Sequence, residues 1–503
     1  MNDNKITVYL NKKALTAARG EILAAAIGLD APCGGHGKCG KCKVIATGML
    51  SPVSDAERAH LTEQELKDNV RLACHTLVLG DCTVTAYQEV KAPNIVIGEE
   101  GFTQPESPVF GQFAVALDIG TTTLAARLYT PAGEVLATCG RLNPQSRFGA
   151  DVISRIEASM KGEGKTLSAL ICAAIDGMVR ELADTAGIDA LQIDALCITG
   201  NTVMLYLLTA SDPEALSHAP FAADQLFGEQ VSAKALGLTA LRADATVLLP
   251  PCISSFVGAD TVCALLSTSL CEGKESALMV DIGTNGEIAL WHDGKLTVCS
   301  TAAGPAFEGA GISMGMRGEL GAIDRVSLYG DKLIAHVIGE VPPKGICGSG
   351  LVDAAACLLE LELVDETGYM ENEREVITAP VSLTAEDIRM LQLAKSAICA
   401  GVTTALNLEN ITPEQLKSIF VAGGFGRYLN PESAARIGLL PCALCKKMKA
   451  VGNAALDGAA MLLLCRDALA KAQKLAQSAT VLELSTSAVF AEQYMSGMML
   501  QEC

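Results

Sequence analysis

The stretch FAVALDIGTTTLAARLY, residues 113–129, recurs in outline as ALMVDIGTNGEIALWH at 277–292. Each copy is an apolar run ending in Asp-Ile-Gly-Thr, a polar turn and a second apolar run, and Asp118 and Asp281 stand 163 positions apart. No other feature constrains the fold as tightly. Short apolar runs bounded by turn residues read as buried strands, and two of them around a glycine turn read as a hairpin. Two matched hairpins imply a duplicated α/β domain whose copies close on one ligand. Glycine and threonine at the tips offer backbone amides and hydroxyls to phosphate oxygens. The acid just before each tip suits a metal-bound water or a nucleophile to be oriented. There is no GxxxxGK[ST] stretch, so the chain is not a P-loop enzyme.

A third element follows at 416–431, LKSIFVAGGFGRYLNP, a strand ending in the pair Gly423–Gly424. Paired glycines after a strand let backbone approach an adenine and ribose without side-chain interference. Two hairpins and a distal glycine pair, in this order, resemble the two phosphate motifs and the adenosine motif of the actin-like ATPase superfamily, which includes sugar kinases, acetate kinase and heat-shock chaperones. The resemblance covers residue 113 to about residue 465. Between the motifs lie CITGNTVM (197–204), a run of glycines around Glu308 (299–316), and GICGSGLVDAAACLLEL (345–361), a glycine turn opening a helix with anion-binding geometry at its start.

The first ninety residues are a separate unit. They hold ten acidic and ten basic residues, although the whole chain carries a net charge of −19. The net charge of −19 argues against nucleic acid as a partner. KITVYLNKKALTA reads as two strands about a turn at Asn11–Lys12, GEILAAAIGL as a helix, and Ser54 as the N-cap of a second helix. Into this frame is set CGGHGKCGKC, residues 33–42. Cys33, Cys39 and Cys42 are separated by five residues and then two, and Cys74 follows in RLACHT. Iron–sulfur clusters take four thiolates from a sharply bent loop, and the glycines give that loop its freedom. Zinc, or no metal at all, remains open on spacing alone, as does Cys82 as a rival fourth ligand. The arrangement resembles the 2Fe–2S ferredoxins of the plant and vertebrate type, the five-residue gap being the vertebrate-type variant. The resemblance implies Cys33, Cys39, Cys42 and Cys74 as cluster ligands.

The expected architecture is therefore an N-terminal α+β domain of the β-grasp 2Fe–2S ferredoxin type over 1–90 and a Pro-, Gly- and Glu-rich linker over 91–112. A duplicated α/β actin-like (ribonuclease H-like) ATPase domain follows over 113–503, with subdomains 113–275 and 276–503. No apolar run is long enough to span a bilayer. The start lacks signal-peptide character, and most of the 19 cysteines read as reduced, buried residues. These features lead to the expectation of a soluble, cytoplasmic protein. Cys442 and Cys445 read as a pair with no second pair nearby.

The combination is similar to the reductive activators of corrinoid proteins, whose signatures DIGTNGE, AAGPAFEGA, GICGSG, VAGGFG and VGNAALDGA look alike here. The resemblance implies that ATP drives one electron from the cluster to the Co(II) of a corrinoid protein in a methyltransferase system. Plant-type clusters sit near about −400 mV, and Co(II) is harder to reduce. A gap of ~120 mV would leave about 1% reduced, so ATP must favour a conformation in which reduction is easier. The implied site is Asp118, Gly120, Thr121 and Thr122 with Asp281, Gly283, Thr284 and Asn285 around the phosphates and Mg2+, and Gly423 and Gly424 at the adenosine. Glu308 would orient the attacking water or meet the corrinoid protein. A ferredoxin or flavoprotein would supply electrons, and a homodimer is open. Two rivals stand beside this reading: an ATP-driven donor to another low-potential acceptor, like the activators of 2-hydroxyacyl-CoA dehydratases, and a redox-gated nucleotide-binding sensor. Larger members of the family carry an extra domain before the ATPase frame; here the linker leads straight into the first phosphate strand.

Overall fold

The structure, a computed structural model, describes residues 5–11, 13–29, 40, 42–86, 105–149 and 151–502. Asn11, at a φ of 48°, makes the turn that folds β1 (Lys5–Leu10) back on β2 (Lys13–Ala18). With β3 (Lys43–Leu50), β4 (Val70–Leu72) and β5 (Val78–Ala86) they form one sheet in the order β2-β1-β5-β3-β4. β1 and β5 run parallel, as the β-grasp arrangement requires. Val8, Leu23, Leu72, Val78 and Val84 make its small core. The helix expected behind Ser54 is present at Asp55–His60, with Ser54 and Glu57 forming a reciprocal capping box. Glu57 is fully buried and also takes hydrogen bonds from Arg71 Nε at 2.8 Å, Leu72 N at 3.1 Å and Thr76 Oγ1 at 3.2 Å. One carboxylate thus ties the helix to β4 and to the turn that carries Cys74.

The duplication expected from the hairpins extends to whole sheets. β6 (Phe113–Ile119), β7 (Thr123–Tyr129), β8 (Val135–Leu142), β9 (Ile193–Gly200), β10 (Glu229–Ser232) and β11 (Thr246–Leu249) form a sheet in the order β10-β11-β9-β6-β7-β8. The second half begins with β12 (Ala277–Ile282), β13 (Gly286–His292) and β14 (Lys295–Thr301). An inserted lobe follows, with β15 (Ala322–Tyr329), β16 (Lys332–Val337) and β17 (Gly345–Ile346) in one small sheet and β18 (Arg374–Thr378) paired with β19 (Val381–Thr384). The chain then returns through β20 (Ser418–Ala422), β21 (Met448–Gly452) and β22 (Thr480–Val481) to complete the order β21-β20-β12-β13-β14-β22. In each half an antiparallel hairpin trio continues into two parallel strands, β9 and β11 in the first and β20 and β21 in the second. This is the ribonuclease H-like order, present twice.

Side-chain size sorts the two faces of these sheets. Val115, Leu117 and Ile119 of β6 point into the core of their own half, as Leu278, Val280 and Ile282 of β12 do in theirs. The alternate residues, Ala114, Ala116, Ala277 and Met279, join a third core shared by both halves. Two helices fill that shared layer, Ala259–Thr268 and Ala454–Leu464, and small residues let them cross closely. A Cβ on Gly458 would lie 1.9 Å from the carbonyl oxygen of Cys263. The second-half helix Ala454–Leu464 also packs on β6 and β9 of the first half. Arg127 of β7 is buried and pairs with Asp457 of that helix at 2.5 Å.

Of the stretch read as a linker, residues 91–104 lie outside the described residues. Residues 105–112 are anchored. Glu106 N and Val109 N donate to Leu464 O and Leu463 O, Phe110 is buried, and Asp194 accepts from the amides of Gly111 and Gln112. Paired backbone and a buried aromatic ring hold this part of the stretch on the following domain.

Candidate functional site

Both hairpin tips open from the ends of central strands, so backbone pairing fixes where they point. In the first, Gly120 N donates to Thr123 O at 2.9 Å, and Asn143, fully buried, donates from Nδ2 to Gly120 O at 2.8 Å. Arg155, also fully buried, donates to Thr121 O at 2.6 Å. Asn201, the polar turn residue after β9, caps the helix Thr202–Thr209 and donates to Thr121 Oγ1 at 3.1 Å. In the second hairpin, Gly283 N donates to Asn285 O at 3.0 Å, and Thr284 O accepts from Gly304 N at 2.9 Å.

Glu308 joins the two tips. It ends the short turn Pro305–Glu308 and is half-buried. Its Oε2 accepts from Thr122 Oγ1 and from Thr284 Oγ1, each at 3.0 Å. Thr122 and Thr284 are thus brought to one atom from 162 positions apart in sequence, one from each half.

Asp118 accepts from Asn453 Nδ2 at 3.0 Å, a contact across the halves. Burial, reinforced by the charge of Asp260, pushes Asp118 up to about 7 despite that bond. Asp281 is likewise pushed up to about 7, by burial and then by Asp260 and Asp118. Asp260 itself rises to about 6 through burial, and Glu287 is raised well above the usual carboxylate range by burial, Asp260 and Asp281. Like charges gathered in one cleft raise one another's proton affinity, and a cation there reverses that logic. Among the described residues no three His, Cys, Asp or Glu side chains form a ready-made metal cage. Mg2+ typically takes only one or two carboxylates, completing its shell with phosphate oxygens and water, and the acids here fit that demand.

Asp260, Glu287 and Asn453 were not singled out from the sequence. A signal for two of them exists: Val-Gly precedes both crossing helices, in VGADTVCALL and in VGNAALDGAA. Gly258 and Asn453 are the equivalent N-caps. At Gly423 a packing reason stands beside the reading of the pair as room for a nucleotide. Gly423 has a φ of 89°, and a Cβ there would lie 2.9 Å from Asp281 Oδ1, so the fold itself requires this glycine. Gly424 faces open space. The glycines of GICGSG serve packing as well: Cβ atoms on Gly348 and Gly350 would strike Phe307 O and Ile323 O, and the start of the helix Gly348–Glu360 is buried rather than open to an anion. Cys442 is exposed, and Cys445 donates to Pro431 O at 3.2 Å.

In the N-terminal domain Cys33 and Cys39 lie outside the described residues. Cys42 and Cys74 are buried side by side, Sγ to Sγ 3.1 Å, against about 2.05 Å for a disulfide. The hydrogen bond to Cys74 pulls Cys42 down to about 7 against the opposing effect of burial. Ala73 N donates to Cys42 O at 2.9 Å and fixes this pairing. Two adjacent sulfurs not joined in a disulfide fit a cluster. Cys82 lies within β5 opposite Val8 and Gly48, and burial raises its thiol.

Residues 6–79 match the model of the 2Fe–2S iron–sulfur cluster binding domain, residues 113–272 that of the RACo middle region, and residues 275–503 that of the C-terminal domain of RACo, the ASKHA domain. The middle region coincides with the first of the two duplicated sheets. The corrinoid activation enzyme RamQ of Eubacterium limosum is 34% identical over 428 residues, 79% of this chain and 71% of that relative. A [Co(II) methylated amine-specific corrinoid protein] reductase of Methanosarcina barkeri is 26% identical over 430 residues, 76% of each chain. A solved structure titled reductive activator for corrinoid, iron–sulfur protein superposes over 99% of this chain and 98% of its own, with a TM-score of 0.72 and 28% identity. With a ferredoxin domain and a twice-built ATPase frame in one chain, the protein belongs to the RACo family of reductive activators of corrinoid proteins.

Proposed function

We propose that the protein couples ATP to the passage of one electron from a 2Fe–2S cluster to the Co(II) of a corrinoid protein, regenerating Co(I) for methyl transfer. The observation that carries this reading is the joining, in one chain, of paired cluster-type thiols and a two-hairpin phosphate cleft. When bound, the cluster supplies a single electron at low potential. Cys33, Cys39, Cys42 and Cys74 hold it. Gly120, Thr121 and Thr122 with Gly283, Thr284 and Asn285 embrace the phosphates. Asp118 and Asp281, joined by Asp260, hold Mg2+ and its water. Gly423 and Gly424 border the adenosine. A nucleotide held between the halves can act on reduction only by binding one conformation of the complex better than another. The contacts available for that preference are those that cross the cleft: Asn453 to Asp118 and Glu308 to both tips. The electron donor is a ferredoxin or flavoprotein of the cytoplasm.

The test is optical. The protein is purified without oxygen, reduced and mixed with a Co(II) corrinoid protein from the same organism. Co(I) absorbance should appear only with Mg-ATP and vanish in Asp281→Ala and Cys39→Ser. Measurable ATPase activity and an intact cluster without any Co(I) would send the search to another acceptor.

A further inference from the structure

Glu308 uses the hydroxyl protons of Thr122 and Thr284, and each hydroxyl has one to give. A phosphate oxygen that took those donors would have to evict the carboxylate, since two anions on one donor pair repel. We infer that Glu308 and the terminal phosphate of ATP compete for these two hydroxyls, so that the enzyme tells ATP from ADP by which of them displaces Glu308. The inference deepens the nucleotide reading above and rests on it.

Position argues for the terminal phosphate. The adenosine loop at Gly423–Gly424 follows β20 in the second half, whereas Thr122 stands on the first. That loop lies against the base of the second hairpin, where a Cβ on Gly423 would come within 2.9 Å of Asp281 Oδ1, so an anion on both Thr122 and Thr284 has to bridge the halves, and the terminal phosphate is the group assigned to that place. ADP ends one phosphate sooner and leaves Glu308 in place.

The turn bearing Glu308 is packed, with Ala306 and Phe307 in the core of the second half, so what is released is the half-buried Glu308 side chain. Gly304 and Gly309 flank Pro305–Glu308 with φ of 79° and 77°; a Cβ on Gly304 would meet nothing within 4 Å, whereas one on Gly309 would lie 2.4 Å from Met316 O. The chain is pinned on either side. Gly304 N is bonded to Thr284 O, and Ser313 gives both its amide and its hydroxyl to Asp387, each at 2.6 Å. Two contacts carry a displacement onward. The ring of Phe307 stacks on Phe425, beside the adenosine loop, with centroids 4.8 Å apart. Phe307 O lies against Gly348, where the helix Gly348–Glu360 enters the inserted lobe. Release of Glu308 is therefore reported to both places.

Competition of this kind lowers the apparent affinity for ATP by the fraction of molecules in which Glu308 is released. The test is calorimetric titration of the full chain, purified without oxygen, with Mg2+ and either the β,γ-imido analogue of ATP or ADP. For a released fraction of about one in ten, Glu308→Ala should bind the analogue ~10-fold tighter, with ADP affinity nearly unchanged. Glu308→Gln keeps the shape and one weaker acceptor and should fall between. Should Glu308→Ala misfold by circular dichroism, the isosteric Glu308→Gln carries the test, and it must still tighten the analogue selectively. Variants that bind the analogue no tighter than wild type, or that tighten ADP equally, overturn the competition while leaving the nucleotide site standing. A wild-type chain that binds neither nucleotide overturns the ATP reading and the competition with it.

Discussion

The first phosphate hairpin and the second carry the same Asp-Ile-Gly-Thr, yet the chain holds them in different ways. The first is clamped from behind by fully buried side chains, Asn143 on Gly120 O and Arg155 on Thr121 O, both rooted in their own half. The second is held by its neighbour in sequence, a turn between two left-handed glycines, through Gly304 and Glu308. Duplication supplied two equal grips, and the surroundings back the first with buried side chains of its own half and the second with a turn whose Glu308 also reaches across to the first. A clamp of buried amide and guanidinium groups cannot shift without leaving carbonyls unpaired. The half-buried side chain of Glu308 can turn away without that loss.

That asymmetry matters only if the halves act as one body through their joint, and the joint can be broken. Asp457→Ala removes the carboxylate partner of Arg127, whose guanidinium, buried between the halves, also donates to Tyr129 Oη at 3.4 Å. Stripping one member from such a pair costs about 3–5 kcal/mol. Urea unfolding of the full chain should show that loss. A loss under about 1 kcal/mol would mean that the pair is solvated in solution and that the halves are joined by apolar packing alone.

The N-terminal domain supplies a control that should leave both hairpins untouched. Burial alone would raise the carboxyl of Glu57, but Arg71, the Ser54 cap and the Leu72 amide hold it below its ordinary 4.5. A depressed folded value means that the stabilisation is fully present above about pH 4.5 and drains away as pH falls through the lower folded value. Glu57→Gln should cost about 3 kcal/mol at pH 7, and its gap from wild type should close below pH 4.5. Visible absorbance of the cluster during acid titration reads this, while nucleotide affinity should not move. A gap independent of pH would show that Glu57 acts through shape rather than charge.

Gly458→Ala tests the joint from its apolar side. The new methyl would press into the backbone at Cys263, and overpacking of that kind costs about 2 kcal/mol. Because the helices Ala259–Thr268 and Ala454–Leu464 present Asp260 and Asn453 to the cleft, nucleotide affinity should fall as well. Stability lost with affinity intact would separate the crossing from the site.

The sequence made the hairpins legible because a phosphate grip is local: strand, acid, glycine, hydroxyl, strand. The same locality made the cysteine loop and the capping box of Ser54 legible. The contacts that unite the halves are not local. Asn453 meets Asp118 across 335 positions, and Asp260 gains its influence from a helix crossing that no short window contains. The repeated Val-Gly before both helices was the available trace. Gly423 shows the converse limit. A glycine after a strand reads equally well as room for a ligand or as room for the protein, and here the crowding atoms are Ile282 O and the carboxylate of Asp281.

The smallest effect bears most directly on the asymmetry. A Cβ on Gly304 meets nothing within 4 Å, so Gly304→Ala adds backbone strain at a φ of 79° and no collision. With ψ at 170° this conformation is almost reserved for glycine, and the strain is worth about 1–3 kcal/mol. If the turn keeps this φ whether Glu308 is seated or released, both states bear the cost. Stability then falls by about 1–3 kcal/mol, and affinity for the ATP analogue stays as it was. If Gly304 is the hinge, only the seated state bears it. Release then becomes easier, and for a released fraction of about one in ten affinity for the analogue should rise about fourfold or more, up to the ~10-fold of full release. The corresponding change on the first hairpin, Asn143→Ala, leaves Gly120 O without its buried donor and should weaken the analogue instead. Opposite signs from the two hairpins would mark one as anchor and the other as moving part. Equal signs would mean that the duplicated grips still work alike.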